Sequence, residues 1–116
     1  MAAAERTVEA GLNGVELMMY GHFLDSFCTP FWNHRTDEFG GSYENRMRYP
    51  LQAVSEIRSA VPDSFLLGAR ISFDEKREPG LGPDEALTVT ADVVAAGSTS
   101  SASLRARLKP TPGWRG

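Results

Sequence analysis

The 116-residue sequence predicts an α/β chain in which helices alternate with short strands of a parallel sheet. Three observations predict it. Residues 15–19 (VELMM) and 65–72 (FLLGARIS) are short apolar runs of the kind found in strands buried on both faces. The stretches at 2–10, from 42 to 61 and from 83 to 96 carry helical composition or helical period. Glycine, proline and asparagine mark each change between the two kinds of segment.

Residues 2–10 favour helix, and Gly11 stands where a helix commonly ends, because glycine accepts the left-handed conformation without a Cβ clash. Asn13 and Gly14 complete the turn into the first strand, residues 15–19. A long excursion, residues 20–41, follows, interrupted by Gly21, Pro30, Asn33, Gly40 and Gly41. Within it Phe23, Leu24 and Phe27 suit one short helical turn. Loops of this length inside a compact domain are functional or independently packed.

Ser42 offers a helix N-cap. In the helix that follows, Met47, Leu51, Val54, Ile57 and Val61 recur at steps of four and three and share one face, while Arg48, Gln52, Glu56 and Arg58 tend to the other. Pro50 is expected to kink this helix or divide it in two, since proline lacks the N–H and crowds the preceding turn. Pro62 and Asp63 turn the chain into the second strand, residues 65–72, whose one charge, Arg70, lies near its carboxyl end. In the last helix Pro83, Asp84 and Glu85 make a favourable first turn, Leu87, Ala91 and Val94 a buried stripe, and Gly97 a stop. The series amounts to about two and a half βα repeats, joined by right-handed crossovers if the usual rule holds.

A third strand is due after Gly97. The chain instead reads STSSASLRARLKPTPGWRG, with no apolar run and two prolines. Charge changes at the same place: residues 1–97 carry fifteen acidic and eight basic side chains, a net of −7, and residues 98–116 carry four basic and no acidic ones. The expectation is a barrel-like part over 1–97 and a disordered or frameshifted tail over 98–116.

Composition excludes several classes. With 41% hydrophobic and 23% charged residues the chain suits one globular core and at most one compact domain. No stretch approaches the about 20 consecutive apolar residues of a spanning helix, and the opening MAAAERTVEAG, with Glu5 and Glu9, is no secretory signal. A cytoplasmic, membrane-free protein is expected. The single cysteine, Cys28, cannot form an internal disulfide. The basic tail is too diffuse for nucleic acid.

The runs AGLNGVEL, NHRTDEFGGSYENRMRYPLQAVSEIR and LLGARIS carry a resemblance. Across residues 11–72 the chain resembles the Old Yellow Enzyme family of FMN oxidoreductases, chiefly its members related to 2,4-dienoyl-CoA reductase, trimethylamine dehydrogenase and N-methylproline demethylase. The resemblance implies a fragment of a (β/α)₈ TIM barrel covering roughly strands 4 and 5 with flanking helices; a whole barrel takes about 250 residues. It implies FMN as cofactor, NAD(P)H as a possible electron donor, a small-molecule substrate and hydride transfer through flavin N5. Any iron–sulfur cysteines of larger members would lie outside this chain, and oligomeric state is not readable.

By the same resemblance Arg70 is the fifth-strand arginine beside the flavin pyrimidine edge, where a fixed positive charge supports the reduced ring. The competing reading is a solvent-facing arginine or an ion pair with Asp74 or Glu75. Tyr20 and His22 follow the fourth strand, where many members carry a His-x-x-Asn or His-x-x-His pair; here Met18 falls at the first histidine, and MYGHFLDSF looks like the demethylase branch. Tyr20 and His22 are the catalytic candidates, able to orient a substrate or exchange a proton, with packing as the alternative. His34, Arg35, Asp37, Glu44, Asn45 and Arg46 are read as structural ties between the long loop and the next helix. A metal site from His22, Cys28 and His34 fits no common zinc spacing, and Gly80 and Gly82 lack a dinucleotide fingerprint. The function expected is that of an FMN-binding oxidoreductase; the alternative is a non-catalytic truncated remnant of one, unable to bind FMN alone.

Overall fold

The computed structural model describes residues 2–20, 23–75, 79–99 and 103–106. It contains α1 (Ala2–Glu9), β1 (Gly14–Met19), α2 (Asp25–Cys28), α3 (Tyr43–Ala60), β2 (Leu66–Asp74), α4 (Pro83–Ala96) and β3 (Ser103–Ala106). The strands form one parallel sheet in the order β1-β2-β3, with Gly14 opposite Leu66, Met18 opposite Arg70 and Met19 opposite Ile71. Sequential order without reversal fits an arc of a barrel and equally one half of a doubly wound sheet, which reverses its order only at the ligand crevice.

Each element ends where its residues dictate. Gly11, at φ 82°, follows α1, and Gly97, at φ 131°, closes α4 with its N–H bonded to the carbonyls of Val93 and Val94. Ser42 caps α3, its hydroxyl accepting from the Asn45 N–H at 3.2 Å. Pro83 opens α4, with Asp84 and Glu85 in the first turn, as the sequence predicts.

The core lies between one face of the sheet and the helices. Leu67, Ala69 and Ile71 of β2 and Met19 of β1 are buried together with Met47, Val54 and Ile57 of α3 and Val89 and Val93 of α4. The α3 face is thus the predicted one, with Leu51 partly buried beside it. Pro50 does not divide the helix. It sits fully buried inside one continuous α3, and losing one N–H is tolerated where the flanking face is packed on both sides.

Three further expectations are corrected. The buried stripe of α4 is Ala86, Val89 and Val93, while Leu87 is 57% exposed and Ala91 is exposed. Both stripes keep helical spacing, so period alone does not choose between them. The strands are not buried on both faces along their length: Glu16, Met18 and Leu66 stand exposed on the face away from the helices, which closes over only at Ser72. Finally, the chain after Gly97 continues the sheet. Ser98 is buried and its hydroxyl donates to the Leu67 carbonyl at 2.9 Å; the Thr99 N–H donates to the same carbonyl at 2.7 Å, and the Leu67 N–H to Thr99 Oγ1 at 3.0 Å. β3 then pairs with Arg70–Asp74 of β2. Backbone groups at a strand edge accept a partner whatever its hydrophobicity, which is why the absence of an apolar run misled. The remainder of the expected tail, residues 100–102 and 107–116, lies outside the described residues.

Candidate functional site

The parallel register sets the amino ends of β1 and β2 side by side and puts Met19, the carboxyl end of β1, opposite Ile71, beyond which β2 continues to Asp74. Side chains alternate across a strand, so Glu16 and Met18 of β1 and Leu66, Arg70 and Ser72 of β2 belong to the face away from the helices. Arg70 is half-buried there. Its Nε lies 2.8 Å from Glu16 Oε1 as an ion pair without the alignment of a hydrogen bond. The sequence reading weighed Asp74 and Glu75 as ion-pair partners and missed Glu16. The signal was present, since Glu16 is the one charge in an otherwise apolar strand.

Tyr20 directly follows β1, at the same end of the sheet as Arg70, and is half-buried. His22, the other catalytic candidate, lies outside the described residues. Ser72, two residues beyond Arg70, is fully buried, and its hydroxyl has no hydrogen-bond partner among the described residues. Nothing in the sequence marks this serine. Together these residues offer a fixed positive charge, a phenol and an orphaned hydroxyl at one end of the sheet. Such a set can bind and orient an anionic or carbonyl-bearing group.

Behind the site the long loop packs independently. Asn33 Nδ2 donates to the carbonyls of Phe27 and Phe39 at 2.7 and 2.8 Å, and its Oδ1 accepts from the Arg35 N–H at 3.0 Å. Arg35 and Asp37 form a two-point ion pair, which holds the exposed Asp37 carboxyl below its ordinary range, chiefly through the hydrogen bond from Arg35. Asn45 Nδ2 reaches the Gly40 carbonyl at 2.9 Å, and Arg48 Nε the Glu38 carbonyl at 3.0 Å. Phe27 stacks on Tyr49 at 4.9 Å, with Phe23 and Phe39 edge-on to the pair. Arg46 is buried; it donates to the Cys28 carbonyl and, at 2.6 Å, to Glu85 Oε1, tying α2, α3 and α4 together. Of the residues read as structural, Arg35, Asp37, Asn45 and Arg46 hold the loop by these bonds.

Burial, and after it the Asp25 carboxylate, push the Cys28 thiol well above its ordinary value, so it stays protonated and unreactive. Among the described residues no group of three or more His, Cys, Asp or Glu side chains could hold a metal ion. No helix among them is long and apolar enough to cross a membrane.

Over residues 1–106 the chain matches the model of a family described as NADH:flavin oxidoreductase / NADH oxidase. It is similar to N,N-dimethylglycine/sarcosine dehydrogenase of Chromohalobacter salexigens, with 42% identity over 76% of this chain and 13% of the relative. To a protein of Rhizobium meliloti named "Probable N-methylproline demethylase" the identity is 41%, over 76% of this chain and 13% of that one. Among solved structures, a 2-naphthoyl-CoA reductase in complex with 2-naphthoyl-CoA superposes with a TM-score of 0.87 at 29% identity, covering 97% of this chain and 17% of the reductase. The chain thus spans 13% of the length of both curated relatives.

Proposed function

The chain belongs to the NADH:flavin oxidoreductase / NADH oxidase family, and on that premise we propose that it forms part of the flavin site of an FMN-dependent oxidoreductase, with β1 and β2 as the fourth and fifth strands of a (β/α)₈ barrel. The observation that carries this reading is the position of Arg70 at the middle of β2, opposite Met18 and so one residue before the carboxyl end of β1, on the face the helices leave open. The residues present fit one edge of the cofactor: a half-buried guanidinium and, next to it on the same face, the orphaned Ser72 hydroxyl.

FMN, when bound, supplies hydride transfer through its N5, with a small-molecule substrate or NAD(P)H as electron donor. The chain's own residues supply charge and orientation. Arg70 keeps a permanent positive charge where negative charge develops at the flavin pyrimidine edge. Tyr20, directly past β1, orients the substrate or holds a proton at its phenol oxygen, and His22 is assigned the same task from its place in the sequence. Both curated relatives are named for N-methylated amino acids, and that class is the substrate proposed here. A cytoplasmic location is part of the proposal.

A second reading is favoured by the open sheet face, where Met18 is 41% and Leu66 55% exposed: the polypeptide by itself is a non-catalytic remnant. Flavin fluorescence on titration of the purified chain separates the two. Saturable quenching that is weakened at least about tenfold by Arg70→Met supports the cofactor site. Quenching that never saturates leaves the remnant reading. The charge step after Gly97 motivates a shifted frame in the tail, against which stand β3 and the family match to residue 106; the encoding DNA decides it, by whether barrel motifs resume in another frame past codon 97.

A further inference from the structure

We infer that Glu16 is a positioning residue for Arg70, holding the guanidinium by its Nε edge so that the two terminal nitrogens remain available to a bound ligand. The inference rests on the flavin role proposed for Arg70.

Glu16 lies directly opposite Gly68, and Arg70 opposite Met18, so Glu16 and Arg70 are diagonal neighbours on adjacent parallel strands. Diagonal pairs lie within reach of long side chains. Gly68 contributes no side chain at the position facing Glu16, and the carboxylate crosses that position to lie 2.8 Å from Arg70 Nε. The side chains keep 44% and 31% of their exposure, and a pair so open to water adds little to stability. An acidic residue in the middle of VELMM is therefore poorly explained as a fold-stabilising element. It is well explained as an orienting one: a long flexible side chain such as arginine has to be held before its fork can meet a planar ligand edge with little loss of entropy.

A plain counter-ion would act differently, and the difference has a sign. If Glu16 served only to neutralise Arg70, removing its charge would strengthen binding of an anionic ligand. As a positioning group, its removal weakens binding despite the gain in net positive charge. Shortening it at constant charge separates the two roles again.

The experiment compares the full 116-residue chain with Glu16→Gln and Glu16→Asp. Two readings are taken: solvent exchange of the Arg70 Nε–H by ¹H–¹⁵N spectroscopy without cofactor, and FMN affinity by fluorescence titration. Glu16 is exposed, so both variants should keep the wild-type circular dichroism. The expected result is faster Nε–H exchange in both and FMN binding weakened by about tenfold, as the guanidinium loses its orientation toward the ligand. Glu16→Gln binding FMN as tightly as the wild type, or more tightly, would overturn the inference. If the wild-type chain itself binds no FMN, the flavin reading fails on its own account, and the exchange rate decides: faster in Glu16→Gln upholds the positioning role, unchanged rejects it.

Discussion

Arg46 and Tyr43 show how single side chains hold this chain together. Arg46 is buried with its charge matched by Glu85 and its second donor spent on the Cys28 carbonyl. Arg46→Ala leaves both acceptors without a donor and is expected to cost about 2–4 kcal/mol in urea unfolding, with Arg46→Lys recovering part of it. The Tyr43 hydroxyl donates to Asp92 Oδ2 at 2.6 Å. Tyr43→Phe should cost about 1 kcal/mol. Burial, and next the bond to Asp92, raise the Tyr43 pKa above the ordinary phenol value. The native state thus resists losing a proton that the unfolded chain gives up near pH 10. The contribution is complete below that pH and lost as pH rises toward the folded value, so alkaline unfolding should come later in wild type than in a chain whose Tyr43–Asp92 bond is cut by Asp92→Ala. At this scale the sequence showed which residues matter more readily than whom they touch. The run from His34 to Arg46 was legible as loop structure, because its amides and charges are dense and local. The partners Glu85 of Arg46 and Glu16 of Arg70 were not, since register and crossover bring them together across long separations, and closeness in sequence, which suggested Asp74 or Glu75 for Arg70, does not reveal a partner across a sheet.

Elements were more legible than contacts, for the reason that their signals are local. Ser42, Pro83, Gly11 and Gly97 mark ends that the backbone obeys. The α3 face was legible because only one stripe of that helix is apolar. In α4 apolar residues also occur at 87, 91 and 94, so a second stripe competes, and the outcome rests on packing against β2 and α3 that no local period encodes. Gly97 allows a test of an element boundary. At φ 131° it is strained for any other residue, and an added Cβ would stand 2.6 Å from Arg58 Cγ. Arg58 is itself engaged, donating to the Phe65 carbonyl at 2.9 Å. Gly97→Ala is therefore expected to cost about 1–3 kcal/mol. Because Ser98 and Thr99 bond to Leu67 just beyond it, the same change should raise amide exchange at Leu67 before the rest of β2.

For the whole molecule the governing feature is a sheet packed on one side. Both strand runs looked doubly buried in sequence, and the helices bury only one alternate set, Leu67, Ala69 and Ile71 on β2. The other set leaves Leu66 55% and Met18 41% exposed, on the same face as the Glu16–Arg70 ion pair. Among the described residues β1 has no strand on its outer side. Exposed apolar side chains beside an unpaired strand edge invite association and dye binding. Leu66→Lys tests whether this face has that character. The side chain is largely in water already, so the substitution should move unfolding stability by no more than about 0.5 kcal/mol. It places a charge within the apolar strip, however, and should lower both the fluorescence of a hydrophobic dye and any concentration-dependent rise in sedimentation coefficient. A stability loss of several times that size would mean Leu66 is covered in solution, and the open face would then be an occupied one.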